Sequence, residues 1–160
     1  MKTTREEVHE ESHKHLVHNL QELLKKNYDA ERGFKKAFED TKEGHLRQFL
    51  KKQAVLRNHF ATELDRVIRN LNAHPEDNGS TAGDFHRTWI DFKSSIFGHK
   101  DEAVLKEVIR GEKASLKEYQ AKLSKFKFPI EISEILKKQK TAIEETINSV
   151  KSLEDLKTYS

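Results

Sequence analysis

Apolar residues recur at intervals of three and four through most of this 160-residue chain, a spacing that restricts it to packed helices. One stripe consists of Leu20, Leu24, Asn27, Glu31, Phe34 and Phe38. A later stripe consists of Leu105, Ile109, Glu112, Leu116, Tyr119 and Leu123. Residues at these intervals share one side of an α-helix, so both stripes are core-facing. Glu31 and Glu112 are therefore expected to point inward among apolar neighbours.

The pattern predicts an all-α, ferritin-like four-helix bundle over residues 13–157, preceded by a polar, flexible N-terminus over residues 1–12. Charged residues make up 36% of the chain, with only six Gly and two Pro, which is typical of a helical protein. Four long helices, A to D, are expected over Ser12–Asp40, His45–Ala73, Glu102–Lys125 and Ile130–Leu156. Gly33, inside the first, indicates a close helix contact, because glycine costs about 1 kcal/mol there relative to alanine.

The connection between helices B and C contains a short amphipathic helix over about Asp84–Phe97, which Gly98 ends. Its apolar side consists of Phe85, Trp89, Phe92 and Ile96. So long a connection can return along the bundle, which favours parallel helices B and C, as in ferritin-like folds. The alternative is an up-down-up-down bundle with the short helix as a lid. Trp89 is expected to be buried, although a ligand groove or dimer face is an alternative for this side.

The two halves of the chain resemble each other, which raises the possibility of a two-metal centre. Each half has one inward glutamate, and each has a Lys-Lys-Gln that ends at Gln53 or Gln139 on a core stripe. Di-iron bundles use a Glu from each of two helices and Glu-x-x-His from each of the other two. Leu56 and Ala142 occupy the positions of those histidines.

A second interpretation of the same residues is a polar layer without metal or other cofactor. A buried carboxylate must be paired or protonated, and Arg57 lies one turn after Gln53. The expected central polar cluster, a candidate vestigial metal site, consists of Glu31, Gln53, Arg57, Glu112 and Gln139.

Other features of the chain narrow the classes of function. His9 and His13, like His15 and His18, could share a helix face and bind Zn²⁺ weakly, but ordinary surface histidines are expected. The net charge of +3 arises from interleaved Lys and Glu, so no nucleic-acid partner is expected. No cysteine, signal peptide or membrane-spanning run is visible, which favours a cytoplasmic protein.

The chain also resembles a known family over roughly residues 16–155. The resemblance lies in Glu31-Arg-Gly-Phe34, Phe60-Ala-Thr-Glu-Leu64, the stretch 79–93 (GSTAGDFHRTWIDFK), Arg110-Gly-Glu112 and Tyr119. These residues resemble a bacterial four-helix-bundle family of unknown function in the ferritin-like superfamily. The resemblance implies a ferritin-like bundle with a crossover helix, and it implies no activity. Relatives look as though they carry a Glu and a His near the places of Ile109 and Ile147.

The sequence thus predicts a non-catalytic structural or interaction module. Its expected partner is another protein or a second copy of the chain, as in a homodimer. The alternative is a di-metal oxidase or ferroxidase, using iron or manganese, with a degenerate site.

Overall fold

A computed structural model describes residues 1–76, 79–95 and 101–159, apart from the side chains of residues 92–95. Six helices lie in these ranges: α1 (Thr4–Asp40), α2 (Gly44–Asn70), α3 (Ala82–Ser95), α4 (Asp101–Lys125), α5 (Ile130–Ser149) and α6 (Leu153–Leu156). The predicted all-α class is confirmed, since no strand occurs in the described ranges. Among these helices, none has a stretch long and apolar enough to cross a membrane. The predicted helix end at Phe97 and Gly98, and the side chains of Phe92 and Ile96, lie outside the described residues.

Helix α1 begins eight residues before its predicted start at Ser12, because a capping box closes its first turn. The Thr3 hydroxyl accepts a hydrogen bond from the Glu6 backbone N–H at 3.2 Å, and the Glu6 carboxylate accepts one from the Thr3 backbone N–H at 2.8 Å. This reciprocal pair satisfies two backbone donors at the helix start. The side chains before Leu16 are exposed, so this end of α1 extends the helix without adding to the core.

The last predicted helix is divided in two. Helix α5 ends at Ser149, and Val150 adopts an extended conformation with its side chain fully buried. The Asp155 carboxylate then accepts hydrogen bonds from the backbone N–H groups of Lys151 and Ser152, which starts α6. The turn lets Leu156 and Tyr159 pack on the apolar residues at the start of α2.

The core consists of two apolar clusters, one toward each end of the bundle. In one cluster, Leu20 on α1 packs with Leu64 on α2, Tyr119 on α4 and Leu136 on α5. The other cluster joins the end of α1 to the beginnings of α2 and α4 and to α6. The early parts of α2 and α4 therefore share one cluster, and their later parts share the other. Helices α2 and α4 run in the same direction, and α1 and α5 run opposite to them.

Helix α3 is held beside α1 by the loop that precedes it. The Asp29 carboxylate accepts hydrogen bonds from the Ser80 backbone N–H at 2.7 Å and the Ser80 hydroxyl at 2.6 Å. A side chain at Gly79 would collide with Asp29, so glycine permits this close approach. Trp89 packs on the second apolar cluster but stays only partly buried, which differs from the predicted core burial. The reason is that α3 lies on the outside of the bundle.

A buried polar layer as the candidate functional site

The centre of the bundle contains an ion pair that is shielded from solvent. The Arg57 guanidinium of α2 lies 2.7 Å from a carboxylate oxygen of Glu112 on α4. Arg57 is 0% exposed and Glu112 is 2% exposed. Burial of one of these charges alone would be very unfavourable, so each residue stabilises the other in the interior.

Hydrogen bonds extend this ion pair into a layer that joins all four long helices. Arg57 also donates to the Asn27 side-chain carbonyl at 3.0 Å, and the Asn27 amide donates to the Tyr119 hydroxyl at 2.9 Å. The Tyr119 hydroxyl in turn donates to the Gln139 carbonyl oxygen at 2.6 Å. We call Asn27, Arg57, Glu112, Tyr119 and Gln139 the polar layer. Each of its side chains is at most 2% exposed.

Glu31 does not belong to the polar layer, although the stripe pattern placed it there. Its carboxylate pairs with Lys35 at 2.8 Å, one turn later, and accepts a hydrogen bond from the Asn58 side chain at 3.2 Å. The Lys35 side chain is 63% exposed. The glutamate therefore turns toward the edge of the helix face, where its charge is compensated from the solvent side.

Gln53 is fully buried, as expected, but its amide takes part in a different contact. It donates a hydrogen bond to the Tyr159 hydroxyl at 2.9 Å, near the C-terminus. Tyr159 also packs edge-to-face on Phe49, with ring centroids 5.3 Å apart. Each Lys-Lys-Gln segment therefore ends in a buried glutamine, but only Gln139 belongs to the polar layer.

The five residues of the predicted cluster do not converge on one point in the structure. A carboxylate-rich metal site needs several oxygen or imidazole ligands that converge on one point. Here the cation next to Glu112 is the Arg57 guanidinium, and Glu31 is directed to Lys35. Across the part of the chain that the structure describes, no three His, Asp or Glu side chains are grouped to hold a metal ion.

The N-terminal histidines lie on α1 before and just after the first buried leucine. His9, His13, His15 and His18 are all exposed. His18 lies 3.2 Å from the Glu22 carboxylate, one turn later on the same helix. Both histidine pairs therefore lie on the solvent side of α1, as expected for surface histidines.

One group of the polar layer, the Tyr119 hydroxyl, has a shifted pKa. Burial, the largest effect, raises the pKa of the Tyr119 hydroxyl to about 12, despite the opposing influence of Arg57 and of the Asn27 hydrogen bond. The phenol thus stays neutral and can donate to Gln139 across the ordinary pH range. In this layer the Tyr119 hydroxyl is therefore a hydrogen-bond donor to Gln139 and not a phenolate.

A cleft of about 510 Å³ lies beside the polar layer, between α1, α3 and α4. Glu112 lies on its wall, together with Gly33, Gly111 and Trp89. One oxygen of Glu112, Oε2, is buried and has no hydrogen-bond partner among the described residues. The side of α3 that the sequence marked as a packing surface or a ligand groove thus partly covers an open space.

Asn27 and Tyr119 are the residues that the predicted cluster lacked. Both were visible in the apolar stripes, where a polar amide and a phenol need partners when buried. Asn27 lies one turn before Glu31, and Tyr119 lies two turns after Glu112, on the same helix faces. A search for every polar residue on a core stripe, rather than for metal ligands, would have identified them.

Comparison with known proteins identifies the family of the chain but no activity. No curated protein matches the chain. One family model, described as a domain of unknown function (DUF2383), matches residues 15–125. This segment includes α2, α3 and α4 and the part of α1 that contributes to the core. Because the match spans more than half of the sequence, the chain belongs to the DUF2383 family of unknown function.

Proposed function

We propose that this chain is a ferritin-like four-helix bundle that serves as a non-catalytic structural or interaction module. The bundle core occupies residues 13–157. The single observation that carries the proposal is the buried Arg57–Glu112 ion pair. It balances the charge of the central carboxylate with a residue of the chain itself, without a metal ion.

The helix directions support the ferritin-like part of the proposal. In such bundles one long crossover makes the second and third long helices parallel. The shared clusters here put Val104 with Leu50 and Tyr119 with Leu64, which is the order that parallel α2 and α4 require. Helix α3 lies in the connection between them.

A metal-binding experiment tests the non-catalytic part of the proposal. Fe²⁺ or Mn²⁺ added anaerobically should leave the thermal midpoint unchanged, because a ligand that binds the native state must raise it. Metal analysis after desalting should find less than one equivalent per chain. Two equivalents, lost together in Glu31→Ala and Glu112→Ala, would contradict the proposal and favour the di-metal oxidase or ferroxidase.

The interaction part of the proposal rests on the N-terminal end of α1. Residues 4–15 are helical and exposed, and Val8 within them is 61% exposed. We propose that this segment contacts the partner protein, either another protein or a second copy of the chain. Sedimentation velocity should show a dimer that Val8→Glu weakens. Val55→Glu is the control and should not weaken the dimer, because Val55 is about as exposed, at 64%, but lies on α2 and not in this segment. A wild-type chain that stays monomeric at every concentration contradicts self-association.

A further inference from the structure

Among the described residues, helix α1 has two places that no other helix covers closely. One is Gly33, where a Cβ atom would meet no described atom within 4 Å, so the close helix contact expected there is wrong. The other is the N-terminal end, where every side chain of residues 4–15 is exposed. This segment spans about 18 Å at a rise of about 1.5 Å per residue, which leaves room for a second helix alongside it.

Two histidines of this end are neighbours because the helix starts so early. His9 and His13 lie one turn apart on α1, whose capping box at Thr3 and Glu6 precedes both of them. Side chains four residues apart on a helix have Cβ atoms about 5–6 Å apart. A tetrahedral zinc ion with Zn–N distances of about 2.0–2.1 Å needs its nitrogen ligands about 3.3 Å apart. Two imidazoles at this helical spacing can therefore turn toward one ion.

Both imidazoles are available to a metal ion. Each is exposed, and neither takes part in a hydrogen bond or an ion pair within the described ranges. The carboxylate of Glu10, which follows His9 directly, is held by Lys2 at 2.8 Å. Arg5, one turn before His9, is exposed, so solvent and salt screen its charge. His9 and His13 thus offer two nitrogen ligands on an uncovered part of the helix.

Two ligands from one chain fill only half of a tetrahedral zinc site. Structural zinc ions in proteins have four ligands, and in the described part of this chain no three His, Asp or Glu side chains are grouped to hold a metal ion. A second copy related by a two-fold axis presents the same two histidines, since such a contact uses the same surface of both molecules. The site is therefore incomplete in one chain and complete in two.

We propose that one zinc ion binds between two copies of the chain, held by His9 and His13 of each copy. Imidazole is a common ligand of zinc, whereas Mn²⁺ and Fe²⁺ bind such ligands more weakly. The inference rests on the proposed contact of residues 4–15 with a second copy, and it adds a metal ion to that contact. Assembly of the module would then depend on the supply of zinc.

Sedimentation velocity near neutral pH, with zinc chloride or with EDTA, tests the proposal. Zinc should tighten the dimer by about tenfold or more and saturate at one ion per two chains, since a ligand that binds only the dimer favours it. Mg²⁺, which prefers oxygen ligands, should have no effect. An unchanged dimer in zinc, or saturation at one ion per chain without a dimer, would overturn the proposal. The dimer in EDTA and its response to Val8→Glu report on the metal-free contact, so the two proposals can fail separately.

Paired substitutions locate the zinc ion. His9→Ala with His13→Ala should abolish the zinc effect and leave the helical circular dichroism unchanged, because both side chains are exposed and alanine favours a helix. His15→Ala with His18→Ala is the matched control and should retain the effect, since both are exposed on α1 and His18 already has Glu22 at 3.2 Å. Equal losses in the two paired variants, or a full zinc effect without His9 and His13, would show that the ion does not bind at this site.

Discussion

Tyr119 connects two helices through one oxygen atom and gives the polar layer a measurable pH response. Its hydroxyl accepts from Asn27 on α1 and donates to Gln139 on α5. Burial raises the pKa of this hydroxyl from 10.0 to about 12. The native state therefore retains a proton that the unfolded chain releases at lower pH. This stabilisation is complete below about pH 10 and is lost as the pH rises toward 12.

The first prediction is that Tyr119→Phe makes the free energy of unfolding less sensitive to alkaline pH. Between about pH 9 and pH 12 the wild type should lose about 2–3 kcal/mol more than the variant, because the variant has no phenol to ionise. Urea unfolding of both proteins at each pH gives this difference, in which the other titrating groups cancel. Parallel pH curves would mean that Tyr119 is not held neutral by burial.

Glu31 and Glu112 show what residue spacing can and cannot predict. Both occupy inward stripes, yet only Glu112 joins the polar layer, 2.7 Å from Arg57. Glu31 has Lys35 one turn later as a partner at the surface. Spacing identifies the face of a helix. The partner within reach decides whether a long side chain points along that face or away from it.

The sequence predicted where helix α3 occurs in the chain better than how deeply its apolar side chains are buried. Trp89 lies on the inner side, as the apolar spacing indicated, but the indole is only partly buried. The sequence could not reveal the cleft, since the open space arises from three helices together. The loop that anchors α3 depends on Asp29 and Ser80, which are distant in sequence.

The second prediction concerns how deeply Trp89 on α3 is buried. Trp89→Ala should cost about 1–2 kcal/mol, less than the roughly 3–5 kcal/mol that is typical of a core aromatic residue, because the indole is only partly buried, on the outside of the bundle. Phe49→Ala is the matched comparison, since Phe49 is 2% exposed within the same apolar cluster. Denaturant unfolding of the two variants should show the larger loss for Phe49. Equal losses would place the indole in the core.

The helix ends were less predictable than the helices themselves. The capping box at Thr3 and Glu6 was present in the sequence as Thr-x-x-Glu, three residues apart. The polarity of the following residues led to a later predicted start, because helix stripes are recognised by their apolar residues. The break after Ser149 had no Gly or Pro to mark it, and it depends on burial of Val150 and Leu156.

At the scale of the whole molecule, the apolar stripes predicted an all-helical chain because their period is a local property. The way in which the helices meet is not local. The similar halves suggested equivalent roles for Gln53 and Gln139, whereas the C-terminal turn brings Tyr159 to Gln53 alone. Tyr159, which lies outside the two similar halves, therefore gives Gln53 a different hydrogen-bond partner from that of Gln139.

The polar layer joins side chains of all four long helices, and its Tyr119 also belongs to the first apolar cluster. We propose that the layer sets how the helices align. If the Arg57–Glu112 pair performs this role, each partner should be costly to remove alone and much less costly to remove together. Replacement of both members of a buried ion pair by apolar residues is often nearly neutral, whereas loss of one leaves an unpaired charge.

A double-mutant cycle with Arg57→Met, Glu112→Leu and the double variant tests this account most directly. We predict that each single substitution lowers the free energy of unfolding by about 3–5 kcal/mol near neutral pH. The loss of unfolding free energy in the double variant should be smaller than the sum of the two single losses by about 2 kcal/mol or more. Arg66→Met, at an exposed position on α2, is the control and should change stability little. Additive losses, or single variants as stable as the wild type, would contradict a bundle organised by this buried ion pair.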